Sequence, residues 1–180
     1  MTDILGYATP QTPTGIGFHF ETFDSYIAQA ERNTDADGNV ITQYDIRVVT
    51  GAEINRRLAQ AWDVTQASLR GFMTAVTTWS DPDKRALIIA VTEGHTFDPN
   101  TVTPKQFDIQ IYPVSTLREL AILFVHQGQY GDIAPPIAPY IHYEAIADDL
   151  RAHYGEIIIA GQDIVYGKPN ISNTPNQNLH

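Results

Sequence analysis

Carboxylates are the side chains of this sequence whose number and spacing could do chemistry. The chain has 21 Asp and Glu against 11 Lys and Arg, a formal net charge of −10 over 180 residues. Glu144 and Asp148 form an i, i+4 pair, Asp149 adjoins them, and Arg151 is the one base near them. Such a pair lies about 6 Å apart along one helix face. This spacing indicates either a surface for a cationic partner or an ordinary solvated helix face.

The negative charge lies at the two ends of the chain. Residues 1–50 hold seven acids and two bases, residues 51–105 hold six of each, and residues 106–180 hold eight acids and three bases. A nucleic-acid binder needs a positive surface to displace counterions from phosphates, and the chain has only three lysines. Direct DNA or RNA binding is therefore not expected. Solubility is the ordinary alternative explanation of the acidity.

Motifs for metals, cofactors and nucleophilic catalysis are missing from the sequence. The six histidines have no ligand spacing, and no phosphate-binding loop or Gly-x-Ser-x-Gly motif occurs. The stretch 35–39, DADGN, resembles the start of a calcium loop, but the position for a bidentate glutamate is Ile46, so a tight turn is predicted instead. With no cysteine, thiolate sites are excluded. We predict a protein that is not an enzyme and needs no cofactor.

No apolar run reaches 18 residues, and the N-terminus lacks the basic and apolar regions of a signal peptide. The sequence therefore predicts no membrane contact and a cytoplasmic location.

Patterning in the first half predicts an α+β lobe followed by helices. Residues 1–15 are rich in Pro, Thr and Gly, which indicates an irregular arm. The lobe, residues 16–50, contains a helix capped by Thr22 and a strand over 40–49. Residues 51–104 form a bundle of three short helices. Their predicted starts are the capping boxes at residues 50–53 and 63–66, and Ser80-Asp81-Pro82.

The last third, residues 105–167, predicts a mixed lobe with two helices and a small antiparallel sheet. Residues 107–112 alternate as a half-buried strand, and Thr116 opens a helix that Gly128 closes. A second helix runs to Tyr154, and a hairpin over 156–166 turns at Ala160-Gly161. Residues 168–180 are polar and are predicted to be disordered.

This last third is similar to the C-terminal region of the ArdA antirestriction proteins. That family has a pattern LxELAxxFVxxGxxGDI, then YIxYExIAxDL, then a short hairpin. Residues 117–133 read LRELAILFVHQGQYGDI, residues 140–150 read YIHYEAIADDL, and residues 157–166 correspond to the hairpin. The similarity is most specific over residues 115–166 and is weaker upstream, where residues 107–112 resemble the family's preceding strand and the helical middle resembles its central bundle.

The resemblance implies an elongated protein of small lobes that forms a homodimer through its C-terminal part. Its acids would imitate DNA phosphates in the groove of a type I restriction-modification enzyme. Two chains supply 42 carboxylates, enough to imitate on the order of 70 Å of duplex as an upper bound. The expected contact residues are Asp108, Glu119, Asp132, Glu144, Asp148, Asp149 and Glu156, with a second cluster at Glu31, Asp35 and Asp37.

Two alternatives remain open at this point. One is an anti-CRISPR or other anti-defence protein that docks by shape and apolar contact. The other is an adaptor without inhibitory activity whose acidity serves solubility alone.

Overall fold

A computed structural model describes residues 4–169, which form a small α+β protein with six helices and two three-stranded antiparallel sheets. The chain divides into two compact units, one ending at Phe107 and the other beginning at Asp108. The first unit contains both the predicted N-terminal lobe and the predicted helical bundle. The second begins at Asp108, where the sequence predicted a lobe from residue 105.

The sheet of the first unit has the order β2-β1-β3, formed by β1 (Ile4–Pro10), β2 (Phe18–Phe20) and β3 (Tyr44–Gly51). The prediction of an irregular arm is therefore wrong for Ile4–Pro10, which is the central strand. Its inward positions, Ile4, Gly6 and Ala8, alternate as a strand requires. The ring of Phe20 occupies the space that a side chain at Gly6 would need.

Helix α1 (Phe23–Ala30) follows β2 and begins as the sequence predicted. Thr22 accepts a hydrogen bond from the Ser25 N–H, and Ser25 Oγ accepts one from the Thr22 N–H in return. Helix α1 buries Tyr26 among Phe18, Phe20 and Tyr44. Helix α1 therefore packs on the sheet of the first unit through a cluster of aromatic side chains.

Helices α2 (Glu53–Trp62), α3 (Leu69–Thr78) and α4 (Asp81–Thr92) form the predicted bundle. The start of α4 is confirmed, since Ser80 accepts from the Asp83 N–H and Pro82 lies in the first turn. The two predicted capping boxes upstream are wrong. Thr50 pairs with Leu5 in the sheet and is part of β3, and Asp63 ends α2 in the left-handed conformation, φ 50°.

The second unit packs helix α5 (Leu117–His126) against helix α6 (Tyr143–Leu150). Thr116 caps α5 as predicted, and Gly128 follows the helix at φ 73°. Helix α6 is shorter than predicted, because Tyr154 is the first residue of a strand. A single 3₁₀ turn, Ala138–Tyr140, lies between the helices. The core of the unit consists of Leu117, Leu120, Ala121, Phe124, Ala147, Leu150 and Val165.

The sheet of the second unit has the order β4-β6-β5. The predicted hairpin is confirmed as β5 (Tyr154–Ile159) and β6 (Gln162–Gly167), joined by Ala160-Gly161 with positive φ at both residues. The strand predicted over 107–112 is wrong for its first four positions, since β4 is only Ile111–Tyr112.

Within the described residues, no helix is both long and apolar enough to span a bilayer. Most of the tail predicted to be disordered, residues 170–180, lies outside the described residues.

Candidate partner-binding surface

All eight acidic side chains between residues 108 and 169 are exposed, and so are the three bases there. The acids are the seven predicted contact residues of this region, Asp108, Glu119, Asp132, Glu144, Asp148, Asp149 and Glu156, together with Asp163. Eight acids against three bases leave a formal charge of −5 in this part of the second unit. The apolar side chains of α5 and α6 face the core of the unit, so the charge lies on its outside.

Glu144 on α6 has a counter-ion on the other helix. Arg118 of α5 donates from Nε to Oε1 of Glu144 at 2.7 Å. The guanidinium also lies 6.0 Å from the centre of the Tyr143 ring. The hydrogen bond from Arg118 holds the pKa of the Glu144 carboxyl below its ordinary value. The charge of the Glu144 carboxylate is therefore partly offset by Arg118.

Asp148 and Glu156 share a second arginine. Arg151, which follows α6, contacts Asp148 from Nε at 3.3 Å and Glu156 from Nη1 at 3.9 Å. The ammonium of Lys168 donates to the Arg151 carbonyl at 2.8 Å. Two predicted contact residues, Asp148 and Glu156, therefore lie near the same guanidinium.

Glu156 and one further predicted acid, Glu119, accept hydrogen bonds from backbone N–H groups at the start of α5. Glu156 Oε1 accepts from the Leu117 N–H at 2.5 Å, and Glu119 Oε2 accepts from the Ser115 N–H at 2.8 Å. The first N–H groups of a helix have no partner inside the helix, and its N-terminus favours negative charge. These two carboxylates therefore contribute to folding as well as to the surface.

The remaining four acids of this region are Asp108, Asp132, Asp149 and Asp163. Within residues 108–169, no ion pair or hydrogen bond engages their side chains. Asp108 precedes β4, Asp132 lies in the connection between the two helices, Asp149 is on α6 and Asp163 is on β6. They are the carboxylates whose charge is least offset by neighbours.

The second predicted cluster, Glu31, Asp35 and Asp37, lies in the other unit. Asp35 Oδ1 accepts from the N–H groups of Asp37 and Asn39 at 3.0 and 2.9 Å, and these bonds lower its pKa. Thr34 and Val40 form an isolated bridge around this turn, so the predicted tight turn is confirmed. Glu31 follows α1 and is exposed, as is Asp37.

Within residues 4–169, no three His, Asp or Glu side chains are placed to hold a metal ion.

An open cleft of about 340 Å³ lies in the first unit between α1 and α3. Its threonine hydroxyls are engaged, since Thr74 donates to the Arg70 carbonyl and Thr77 to that of Met73. Neither hydroxyl is paired with a general base. The guanidinium of Arg70 lies over the Phe23 ring at 5.0 Å.

Sequence reasoning missed Arg118 as a neighbour of Glu144, because the two residues are 26 positions apart and their contact depends on how the helices pack. It named Arg151 as the base near Glu144 and Asp148, and the i, i+3 spacing to Asp148 was the available signal. It left Asp163 out of the contact residues, although its place in the predicted hairpin was available.

No protein-family model matches the chain, and no match was found among curated proteins or solved structures.

Proposed function

We propose that this protein is a non-enzymatic antirestriction protein that imitates DNA and occupies the DNA-binding groove of a type I restriction-modification enzyme. The observation that carries the proposal is the exposure of all eight acids of residues 108–169, against three bases, on a unit whose core is apolar. A groove built to bind phosphates presents lysines and arginines, and an acidic surface is complementary to it.

The resemblance to ArdA proteins supports the proposal through the positions of its motif residues. The apolar residues of the pattern LxELAxxFV are Leu117, Leu120, Ala121, Phe124 and Val125, and all are buried. Ala147 and Leu150 from the second motif are buried against the same core. The buried letters of the two motifs thus build the helix pair, while the acids that the motifs also contain, Glu119, Asp132, Glu144 and Asp149, are exposed.

The ion pairs of α6 are compatible with partner binding. Both partners are at least half exposed in the pairs of Glu144 with Arg118 and Asp148 with Arg151. Exposed pairs contribute roughly 0–1 kcal/mol, so a basic groove can replace these internal arginines. A basic groove has no internal arginine to replace at the four acids without a side-chain partner in residues 108–169, which are Asp108, Asp132, Asp149 and Asp163.

The proposal includes a homodimer, which would extend the acidic surface, and a cytoplasmic location, where restriction enzymes meet incoming DNA. It includes no cofactor and no direct nucleic-acid binding. Light scattering at several protein concentrations tests the dimer, and a mass equal to one chain at all of them would exclude it.

Charge reversal tests the proposed function. Three proteins are compared in the cleavage of unmodified DNA by a purified type I enzyme: the wild type, Asp149→Lys with Asp163→Lys, and a control with the same change of charge, Glu21→Lys with Asp24→Lys. Glu21 and Asp24 are exposed and are not among the predicted contact residues. Wild type is expected to inhibit cleavage and the Asp149/Asp163 variant to lose most of that inhibition. An inactive wild type, or equal inhibition by all three proteins, would contradict the proposal.

Exposed apolar residues favour docking by shape as a second candidate function. Between α5 and α6, Tyr130, Ile137 and Tyr140 are exposed by 53%, 59% and 83%. Apolar side chains exposed in one connection are typical of protein contact sites. Loss of binding in Tyr140→Ser, with Asp149→Lys still active, would favour this candidate over charge mimicry.

A further inference from the structure

We propose that Arg118 is an internal counter-ion that competes with the protein's cationic partner for Glu144 and so weakens binding of that partner. The inference rests on the proposed function, because it concerns the charge that a basic groove meets. It assigns an effect on partner affinity to a residue that the sequence did not single out.

The geometry of the pair supports the assignment. Arg118 Nε lies 2.7 Å from Glu144 Oε1, which is hydrogen-bond distance for a charged pair. The two side chains are 53% and 57% exposed, so solvent and a partner can reach both of them. Arg118 sits over the Tyr143 ring, the residue next to Glu144, and this contact keeps the guanidinium at the acid.

The consequence follows from the charges. A partner that binds Glu144 must first displace a guanidinium of the same sign as its own groups. Removing Arg118 removes the hydrogen bond to the carboxylate and takes away a repelling charge. It leaves the His142 ring, whose Nε2 is 4.0 Å from Glu144 Oε2, as the remaining ion-pair neighbour of Glu144 among the described residues. Since exposed pairs are individually weak, the fold should tolerate the change, and binding should tighten about two- to fivefold.

Arg151 is less suited to this role. Its side chain contacts both Asp148 and Glu156, and its carbonyl accepts from Lys168. Glu156 in turn caps α5. A change at Arg151 would therefore disturb the connection between α6, β5 and α5, whereas Arg118 contacts Glu144 and the Tyr143 ring from an exposed position.

The test uses an octa-arginine peptide as the cationic probe and three variants of the full chain. Arg118→Gln frees Glu144. Lys105→Gln removes one positive charge from an exposed position in the other unit and serves as the control of equal net charge. Arg118→Gln combined with Glu144→Gln restores the wild-type net charge and removes the freed carboxylate.

At low salt, Arg118→Gln is expected to bind the peptide about two- to fivefold more tightly than Lys105→Gln, and the double variant to return close to wild type. Equal affinities of Arg118→Gln and Lys105→Gln would overturn the inference, because net charge alone would then explain the change. So would a double variant that stays as tight as Arg118→Gln. The proposed function is judged separately, by whether the wild-type protein inhibits the type I enzyme.

Discussion

Glu156 and Leu117 are 39 positions apart, and the carboxylate of the first accepts a hydrogen bond from the backbone N–H of the second at 2.5 Å. The bond joins strand β5 to the first turn of helix α5. The Thr116 hydroxyl accepts from the Glu119 N–H and the Glu119 carboxylate accepts from the Ser115 N–H, so side chains bond three backbone N–H groups around the start of α5. Glu156, one of the acids predicted to contact a partner, thus also bonds the backbone of the fold.

Replacing Glu156 with Ala is expected to destabilise the protein by about 0.5–2 kcal/mol, as for the loss of a helix cap. Urea unfolding measures the change. Asp149→Ala is the matched control, because Asp149 is exposed and has no side-chain partner in the described residues, and its effect should stay within about 0.5 kcal/mol. Equal stability of the two variants would show that the bond to Leu117 does not stabilise the fold.

Lys84 is buried in the first unit, although it is charged. Its ammonium donates to Asn55 Oδ1 at 2.9 Å and to the Val76 carbonyl at 3.0 Å, which joins α4 to α2 and to the last turn of α3. The negative end of α3 favours a cation there. Lys84→Met leaves both acceptors unpaired and should cost roughly 1–3 kcal/mol in chemical unfolding. The exposed Lys105→Met should cost much less, and a similar loss in both variants would contradict this account.

Tyr26 should make the protein sensitive to alkali. Burial raises its pKa to about 12, and no hydrogen-bond partner of its hydroxyl lies within the described residues. In the unfolded chain the Tyr26 hydroxyl ionises near pH 10, whereas in the folded protein it stays neutral up to about pH 12. The free energy of unfolding is therefore at its full value below pH 10 and falls as the pH rises toward about 12. The loss should be roughly 2–3 kcal/mol.

The control for this loss is Tyr26→Phe, which keeps the ring contacts and has no group to ionise. It should be as stable as wild type or more stable at neutral pH and should retain more of its stability between pH 10 and 12. An unchanged alkaline unfolding curve in Tyr26→Phe would show that another group is responsible.

Glu144 should titrate below its ordinary pKa of 4.5, because Arg118 donates to its carboxylate. A lowered pKa means that the pair contributes stability above about pH 4.5, and that this contribution disappears as the pH falls through the folded-state value. Carboxyl NMR titration measures it directly. Arg118→Gln should raise the pKa of Glu144, whereas Lys105→Gln should leave it unchanged. If the pKa of Glu144 were the same in wild type and in Arg118→Gln, the ion pair between Arg118 and Glu144 would be excluded in solution.

Local signals predicted much of the fold. The caps Thr22, Ser80 and Thr116 and the turn Ala160-Gly161 act on neighbouring residues, so the sequence was enough to place α1, α4, α5 and the hairpin. Strand β1 was missed, because its inward positions include Gly6 and Ala8, which carry little apolar signal. Its place in the sheet depends on pairing with residues 10 to 47 positions away, from Ala8 with Phe18 to Ile4 with Gly51.

The sequence predicted that the acids of the candidate surface are exposed, but it did not predict which residues they contact. Acids at polar positions of amphipathic helices are expected to face solvent, as Glu144 and Asp148 do. Contacts such as those of Arg118 with Glu144 and Glu156 with Leu117 arise only when distant elements pack together. The burial of Lys84 was also missed, because lysines are rarely buried and its partners lie on other helices.

The central claim is that the carboxylates of the second unit bind a basic DNA-binding groove, and the salt dependence of binding tests it most directly. The affinity of the full chain for a purified type I restriction-modification enzyme is measured by displacement of a labelled DNA duplex at about 50 and about 200 mM salt. We predict that affinity falls roughly tenfold or more between the two conditions, because counterions return to the groove as the acids leave it. An affinity that is the same at both salt concentrations would contradict charge mimicry.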